Sequence, residues 1–270
     1  MSAEGKLFRR GLKPFDPMKH ARFPLASSYG FSFNTPTYPI DRRGNMTSWP
    51  MLGNGPDPTL TVNGGNPMGD CGIAGYLHTG QMAAGIWNEP IPSITANEAA
   101  TLYFTYEAIE AGISWRPPNT NDWVPPAGLD QGVDLGDFLL WLFQQGNIDG
   151  FVALQFSEVD AALAQFDSVI CGWILTDQTD QDFSTNTVAD VGPGNEPDPS
   201  DGHCMPLMYA TVTGLSQTNT WGGGLYITQA YRNACLQQAF AIITKEAAQA
   251  HGFPLEANEA DLKALGGQAA

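Results

Sequence analysis

The chain has 270 residues, is 43% hydrophobic and carries a formal net charge of -16, so it can bury a large core and is not disordered in composition. Eight of its twelve basic residues precede position 44, where three acidic residues oppose them; that segment is near +5 and the remainder near -21. An acidic body repels phosphodiester backbones, which bind proteins largely through Lys and Arg, and this excludes nucleic acid as the expected partner. No run approaches 18 uncharged apolar residues and "MSAEGKLFRRGLKPFDPMKH" lacks a signal h-region, so neither membrane nor secretion is expected and a cytoplasmic location is. Four scattered cysteines (Cys71, Cys171, Cys204, Cys235) suit a reducing compartment better than a disulfide framework.

In chain order, residues 1–58 are rich in Pro, Gly, Asn and Ser and read as an extended basic arm, available to a protein partner or to its own domain. A body over 59–252 follows, with a helical part near 69–150, a mainly β part near 151–228, a closing helix near 228–249 and a peripheral tail over 253–270. "GDCGIAGYLHTG" predicts a helix over 71–84 with Asp70 as its cap and Cys71 in its first turn. "TANEAATLYFTYEAIEAGI" predicts a helix over 96–112, with Thr95 and Glu98 as a capping box. "VDLGDFLLWLFQQG" predicts a buried helix over 134–145. "FVALQF" is a strand over 151–156, "SEVDAALAQF" a short helix over 157–166 and "SVICGWIL" a buried strand over 168–175. Residues 176–202 hold seven acidic residues and no basic one, a long loop read as a solvated face that could also concentrate basic substrates. "HCMPLMYATVT" predicts a strand over 203–213 whose start Pro206 demotes to an edge or bulge, and "NTWGGGLYI" a further β segment.

A thiol nucleophile requires a neighbouring base and a group that orients it. Helix-start N–H groups favour a thiolate, which marks Cys71. Of four histidines, His20 lies in the arm, His251 in the tail and His78 two turns into the Cys71 helix as a packed partner. His203, at a strand entry, is the best base. A zinc set of Cys71, His78, His203 and Cys204 is disfavoured, because neighbours on a strand point to opposite faces, and no metal or other cofactor is expected.

"GDCGIAG", "DGHCMPLMYA" and "TNTWGGGLYITQAY" resemble the three motif blocks of papain-like cysteine peptidases, including the divergent C39-like proteins of tailed phages and bacteria, over residues 60–250. His203 follows Cys71 by 132 residues and Asn219 follows His203 by 16. The resemblance implies an α+β papain-like fold, a helical subdomain packed against a small antiparallel sheet. It implies a Cys-His-Asn hydrolase of peptide or other acyl substrates: Cys71 nucleophile, His203 base, Asn219 orienter and Trp221 its aromatic shield, with Asp70 in support. The family's upstream glutamine has no match, which leaves Asn66 or Asn63 as amide donors to an oxyanion. The alternative is an inactive papain-like scaffold used structurally, for example in a phage virion.

Overall fold

The structure is a computed structural model that describes residues 11–44, 49–118 and 122–267. The chain enters through a one-turn helix α1 (Pro17–His20), capped by Asp16, and a two-residue strand β1 (Ile40–Asp41). Three longer helices follow: α2 (Cys71–Ile86), α3 (Ala96–Glu110) and α4 (Leu135–Gln144). The starts of α3 and α4 follow from their caps. Thr95 Oγ1 accepts from the Glu98 N–H at 3.2 Å while Glu98 accepts from the Thr95 N–H at 2.7 Å, and Asp134 accepts from the Asp137 N–H at 3.3 Å. Tyr103, Tyr106, Phe104, Phe138 and Leu139 are fully buried and knit these helices into one apolar core.

The second half alternates strands and short helices: β2 (Gly150–Ala153), α5 (Val159–Phe166), β3 (Val169–Thr176), α6 (Thr179–Thr185), β4 (Pro197–Cys204), β5 (Leu207–Ala210), β6 (Ser216–Thr220), β7 (Gly223–Ile227), α7 (Gln229–Cys235), β8 (Leu236–Ile243), α8 (Lys245–His251) and α9 (Leu255–Gly267). The strands form one open antiparallel sheet in the order β2-β8-β3-β5-β6-β7, with β4 pairing to β3 and β1 to β5. Its core holds Trp173, Leu175, Leu207, Leu225, Tyr231 and Ala239. The result is an α+β molecule in which α2 packs against β3, β4 and β6.

Three expectations are corrected. The helix expected over 228–249 is broken by β8, the strand between β2 and β3; seven of its eight residues are buried, so an apolar run read as one helix face satisfies two sheet neighbours instead. The arm is integral from Gly11 onward: Phe23 is 3% exposed against Phe151 and Phe240, Pro24 accepts from the Ala153 N–H at 2.9 Å, and Ile40 pairs with Ala210. The tail is not peripheral, since Leu262 and Asn258 of α9 are fully buried and Asn258 Nδ2 donates to the Phe151 carbonyl at 3.0 Å. Residues 176–202 also fold, into α6 and most of β4, and the single strand expected over 203–213 is divided at Pro206, so that His203 lies at the end of β4 and does not begin a strand.

Candidate active site

Cys71 is the first residue of α2, and His203 is the penultimate residue of β4. The packing of α2 on the sheet sets Cys71 against the end of β4, where the Cys204 N–H, next in chain to His203, donates to Cys71 Sγ at 3.3 Å. A hydrogen bond donated to sulfur, together with the helix-start N–H groups, favours the charged form of the thiol. The other three thiols are as buried as Cys71, and none of them starts a helix. Burial raises the pKa of Cys171 and Cys235 to about 12 and that of Cys204 well above the ordinary range, which keeps them protonated. No disulfide joins any of the four.

The His203 ring is fully buried and fixed on two sides. Its Nε2 lies 2.7 Å from Thr220 Oγ1, and its face stacks on Trp221 with centroids 4.7 Å apart and planes 19° from parallel. Trp221 adopts φ +45°, a conformation that costs a non-glycine residue about 1–3 kcal/mol and persists where its surroundings demand it. The indole is also met edge-on by Phe183 of α6, at 5.2 Å. The acidic segment thus supplies the back wall of the ring stack.

Trp221 stacks on the imidazole, and the side chain within hydrogen-bond reach of Nε2 is Thr220, the neighbour of the expected Asn219. Asn219 is buried on β6 opposite Gly224, and its side-chain amide has no hydrogen-bond partner among the described residues. Strand alternation explains this: Asn219 and Thr220 point to opposite faces, and Thr220 is the one that faces the ring.

Asn63 and Asn66 are placed in a turn at the start of α3, where the Thr61 and Val62 N–H groups donate to Asn97 Oδ1. Their amides serve that turn: Asn66 Nδ2 donates to the Asn63 carbonyl at 2.8 Å, and Asn63 Nδ2 to the Asn66 carbonyl at 3.5 Å. Asn66 is exposed. Asp70 does not cap α2 through its side chain. Its carboxyl is fully buried against Gly53, and burial first, then the Asp130 carboxylate, pushes its pKa well above the usual range. His78 is likewise structural, with Nε2 3.1 Å from the Pro50 carbonyl oxygen, and burial lowers its pKa to about 4. Among the described residues no group of three or more His, Cys, Asp or Glu side chains could hold a metal ion.

Sequence reasoning missed a second set of residues that shapes the walls beside Cys71. Asp130 Oδ1 accepts from the Gly69 N–H and from Tyr103 OH, both at 2.9 Å, and the Gly132 N–H donates to Tyr103 Oη at 2.8 Å. Tyr103 and Asp130 so tie the loop before Cys71 to the loop before α4. Val133, at the end of that second loop, closes over Gly72 so tightly that a Cβ there would overlap it.

No family model matches the chain, and no curated protein matches it in sequence. In three dimensions it is similar to xylellain, a cysteine protease from Xylella fastidiosa, with a TM-score of 0.57 and 10% identity over 88% of this chain and 97% of that one. The likeness is one of fold, an α+β architecture shared with that cysteine protease. A mite-allergen structure from a comparison of Blo t 1 with Der p 1 is more distant, with a TM-score of 0.48 and 12% identity over 84% of this chain and 76% of that one. In this chain the helical layer carries Cys71 and the sheet carries His203. No helix among the described residues is long and apolar enough to cross a membrane.

Proposed function

We propose that the protein is a cysteine-dependent hydrolase acting on peptide or other acyl bonds, with Cys71 as nucleophile and His203 as base. The observation that carries this reading is the meeting of a helix-start thiol with the His203–Cys204 strand end, where a backbone N–H reaches the sulfur and the ring is held by Thr220 and Trp221. In the reaction the Cys71 thiol gives its proton to His203, and the sulfur forms a bond to the substrate carbonyl carbon. His203 returns the proton to the leaving group as its bond to carbon breaks, giving a thioester. Water, deprotonated by His203, then splits the thioester, releasing the acid and restoring the thiol. The negative oxygen of each tetrahedral intermediate is received by N–H groups of the first turn of α2, which the Asp70 side chain does not cap. Thr220 takes the orienting role expected of Asn219, and the backbone takes the role expected of Asn63 or Asn66.

Iodoacetamide treatment followed by peptide mapping tests the assignment. Cys71 should be alkylated ahead of Cys171, Cys204 and Cys235, and His203→Ala should slow it. First modification at another cysteine, or indifference to His203→Ala, would remove the nucleophile from this position.

A further inference from the structure

Cys71 and Cys204 share the core cluster between the helices and the sheet, whereas Cys171 and Cys235 belong to the second cluster. Strand alternation makes the division: Ile170, Phe240 and Ile242 face the α2 side with Cys204, and Cys171, Ala239 and Ala241 face the other. The sheet therefore stands between the two pairs of thiols. Cys204 meets α2 at two points. Its N–H donates to Cys71 Sγ at 3.3 Å, and its own Sγ fills space that Gly75 leaves open, 2.9 Å from where a Cβ on Gly75 would stand. Residues 71 and 75 lie one turn apart on the same helix face, and a Cα–Cβ bond at 75 leans toward the helix N-terminus. The Cys204 sulfur thus lies over the turn that Cys71 opens, and a side chain at 75 would displace it. Both residues are buried, at 1% and 3% exposure, and no disulfide joins them. Their chemistry is unlike: helix-start N–H groups favour the Cys71 thiolate, while burial, then the neighbouring Cys71, keeps Cys204 protonated. The hydrolytic reaction uses the Cys204 N–H and leaves its thiol without a role.

We propose that Cys71 and Cys204 form a reversible disulfide when hydrogen peroxide reaches the site, with Cys204 as the resolving thiol, and that this bond switches Cys71 off and spares it from irreversible oxidation. The proposal rests on Cys71 being the reactive thiol of the hydrolase reading and asks nothing of any substrate. In the first step the Cys71 thiolate attacks one peroxide oxygen; the O–O bond breaks, hydroxide leaves and Cys71 becomes a sulfenic acid. In the second, the Cys204 sulfur attacks the Cys71 sulfur and the S–O bond breaks. The departing hydroxide takes the Cys204 proton and leaves as water. Two thiol sulfurs have together lost two electrons, and peroxide has gained them to give two waters. Rotation of the two side chains, with the strand order kept, brings sulfur to sulfur. While bonded to Cys204, Cys71 has no thiolate to offer an acyl carbon. A dithiol reductant returns both thiols and is itself oxidised to a disulfide.

The test uses the full chain, reduced and then exposed to hydrogen peroxide, with the remaining thiols blocked by iodoacetamide before peptide mapping. A cross-linked pair of peptides carrying Cys71 and Cys204 should be the main oxidised product. Dithiothreitol should then return Cys71 labelling to about nine-tenths or more of its untreated value. Cys204→Ala keeps the main-chain N–H and removes the resolving sulfur. In that variant Cys71 should pass on to sulfinic acid, and the labelling that dithiothreitol returns, relative to the variant's own untreated value, should fall about fivefold or more. A bridge to Cys171 or Cys235, a Cys71 that forms no bridge, or equal recovery in Cys204→Ala overturns the proposal. Should Cys204→Ala fail to fold, the mapping of the native sequence decides by whether the Cys71–Cys204 pair is found. His203→Ala separates the two claims. A bridge that forms there as fast as in the native sequence upholds the pair and defeats His203 as the base. A chain that forms no bridge, yet whose Cys71 is alkylated first by iodoacetamide, defeats the redox pair alone.

Discussion

Thr220 and Asn219 are neighbours on β6, and a sequence motif cannot say which of two adjacent polar residues turns toward the base. The structure places Thr220 Oγ1 at 2.7 Å from His203 Nε2. Thr220→Val keeps the volume and removes the hydrogen bond, so labelling of Cys71 should fall about tenfold, the equivalent of about 1.4 kcal/mol. Asn219→Ala should change it less than about twofold on the same scale. Measuring both variants in one assay assigns the orienting role, and the reverse order would return it to Asn219. Asp70 offers a second test at this scale. Its buried carboxyl has a raised pKa in the fold, so the native state holds its proton more tightly than the unfolded chain does. Stability from this group is present at low pH and is lost as pH rises from the ordinary carboxyl range toward the raised value. Asp70→Asn stays neutral at every pH; it should raise the unfolding free energy at pH 8 by about 1 kcal/mol or more and leave it nearly unchanged at about pH 4, as read by urea melts. A variant that destabilises at both pH values would show that the carboxylate is used.

At the scale of elements, local chemistry was legible where it was self-contained. The capping box of Thr95 and Glu98, the apolar run of "VDLGDFLLWLFQQG" and the buried strand "SVICGWIL" are fixed by neighbours within a few residues, and α3, α4 and β3 fall within a residue or two of where the sequence puts them. β8 was not legible, because an apolar run with helix-forming Ala, Leu and Gln suits either structure until β2 and β3 claim it on both edges. The N-terminal segment was misread for a related reason. Its Pro and Gly content speaks of irregular backbone, which says nothing of burial, yet Phe23 fills space over Gly136 beside Phe151 and Phe240. Phe23→Ala should therefore cost about 3–5 kcal/mol of stability by denaturant unfolding, the range of a large-to-small change in a packed core. A cost within about 0.5 kcal/mol, ordinary for surface sites, would restore the picture of a separable arm.

For the molecule as a whole, the three motif blocks carried the fold because each sits at a junction that the architecture needs: the start of α2, the end of β4 and the end of β6. What lay beyond the sequence was whatever depends on the meeting of distant segments, namely the Tyr103–Asp130 tie, the bridge of Leu12 to Val133 and the contact between the Cys204 N–H and Cys71 Sγ. That last contact is also where the functional account is most exposed. The direct measurement is the rate of Cys71 alkylation by iodoacetamide across about pH 5 to 9, resolved by peptide mapping, in the native sequence and in His203→Ala. A thiolate supported by His203 should stay reactive well below the ordinary thiol pKa of about 8.5, and His203→Ala should move the rise of the profile back toward that value. Two superimposed profiles, both rising near about pH 8.5 as an ordinary thiol does, would contradict it.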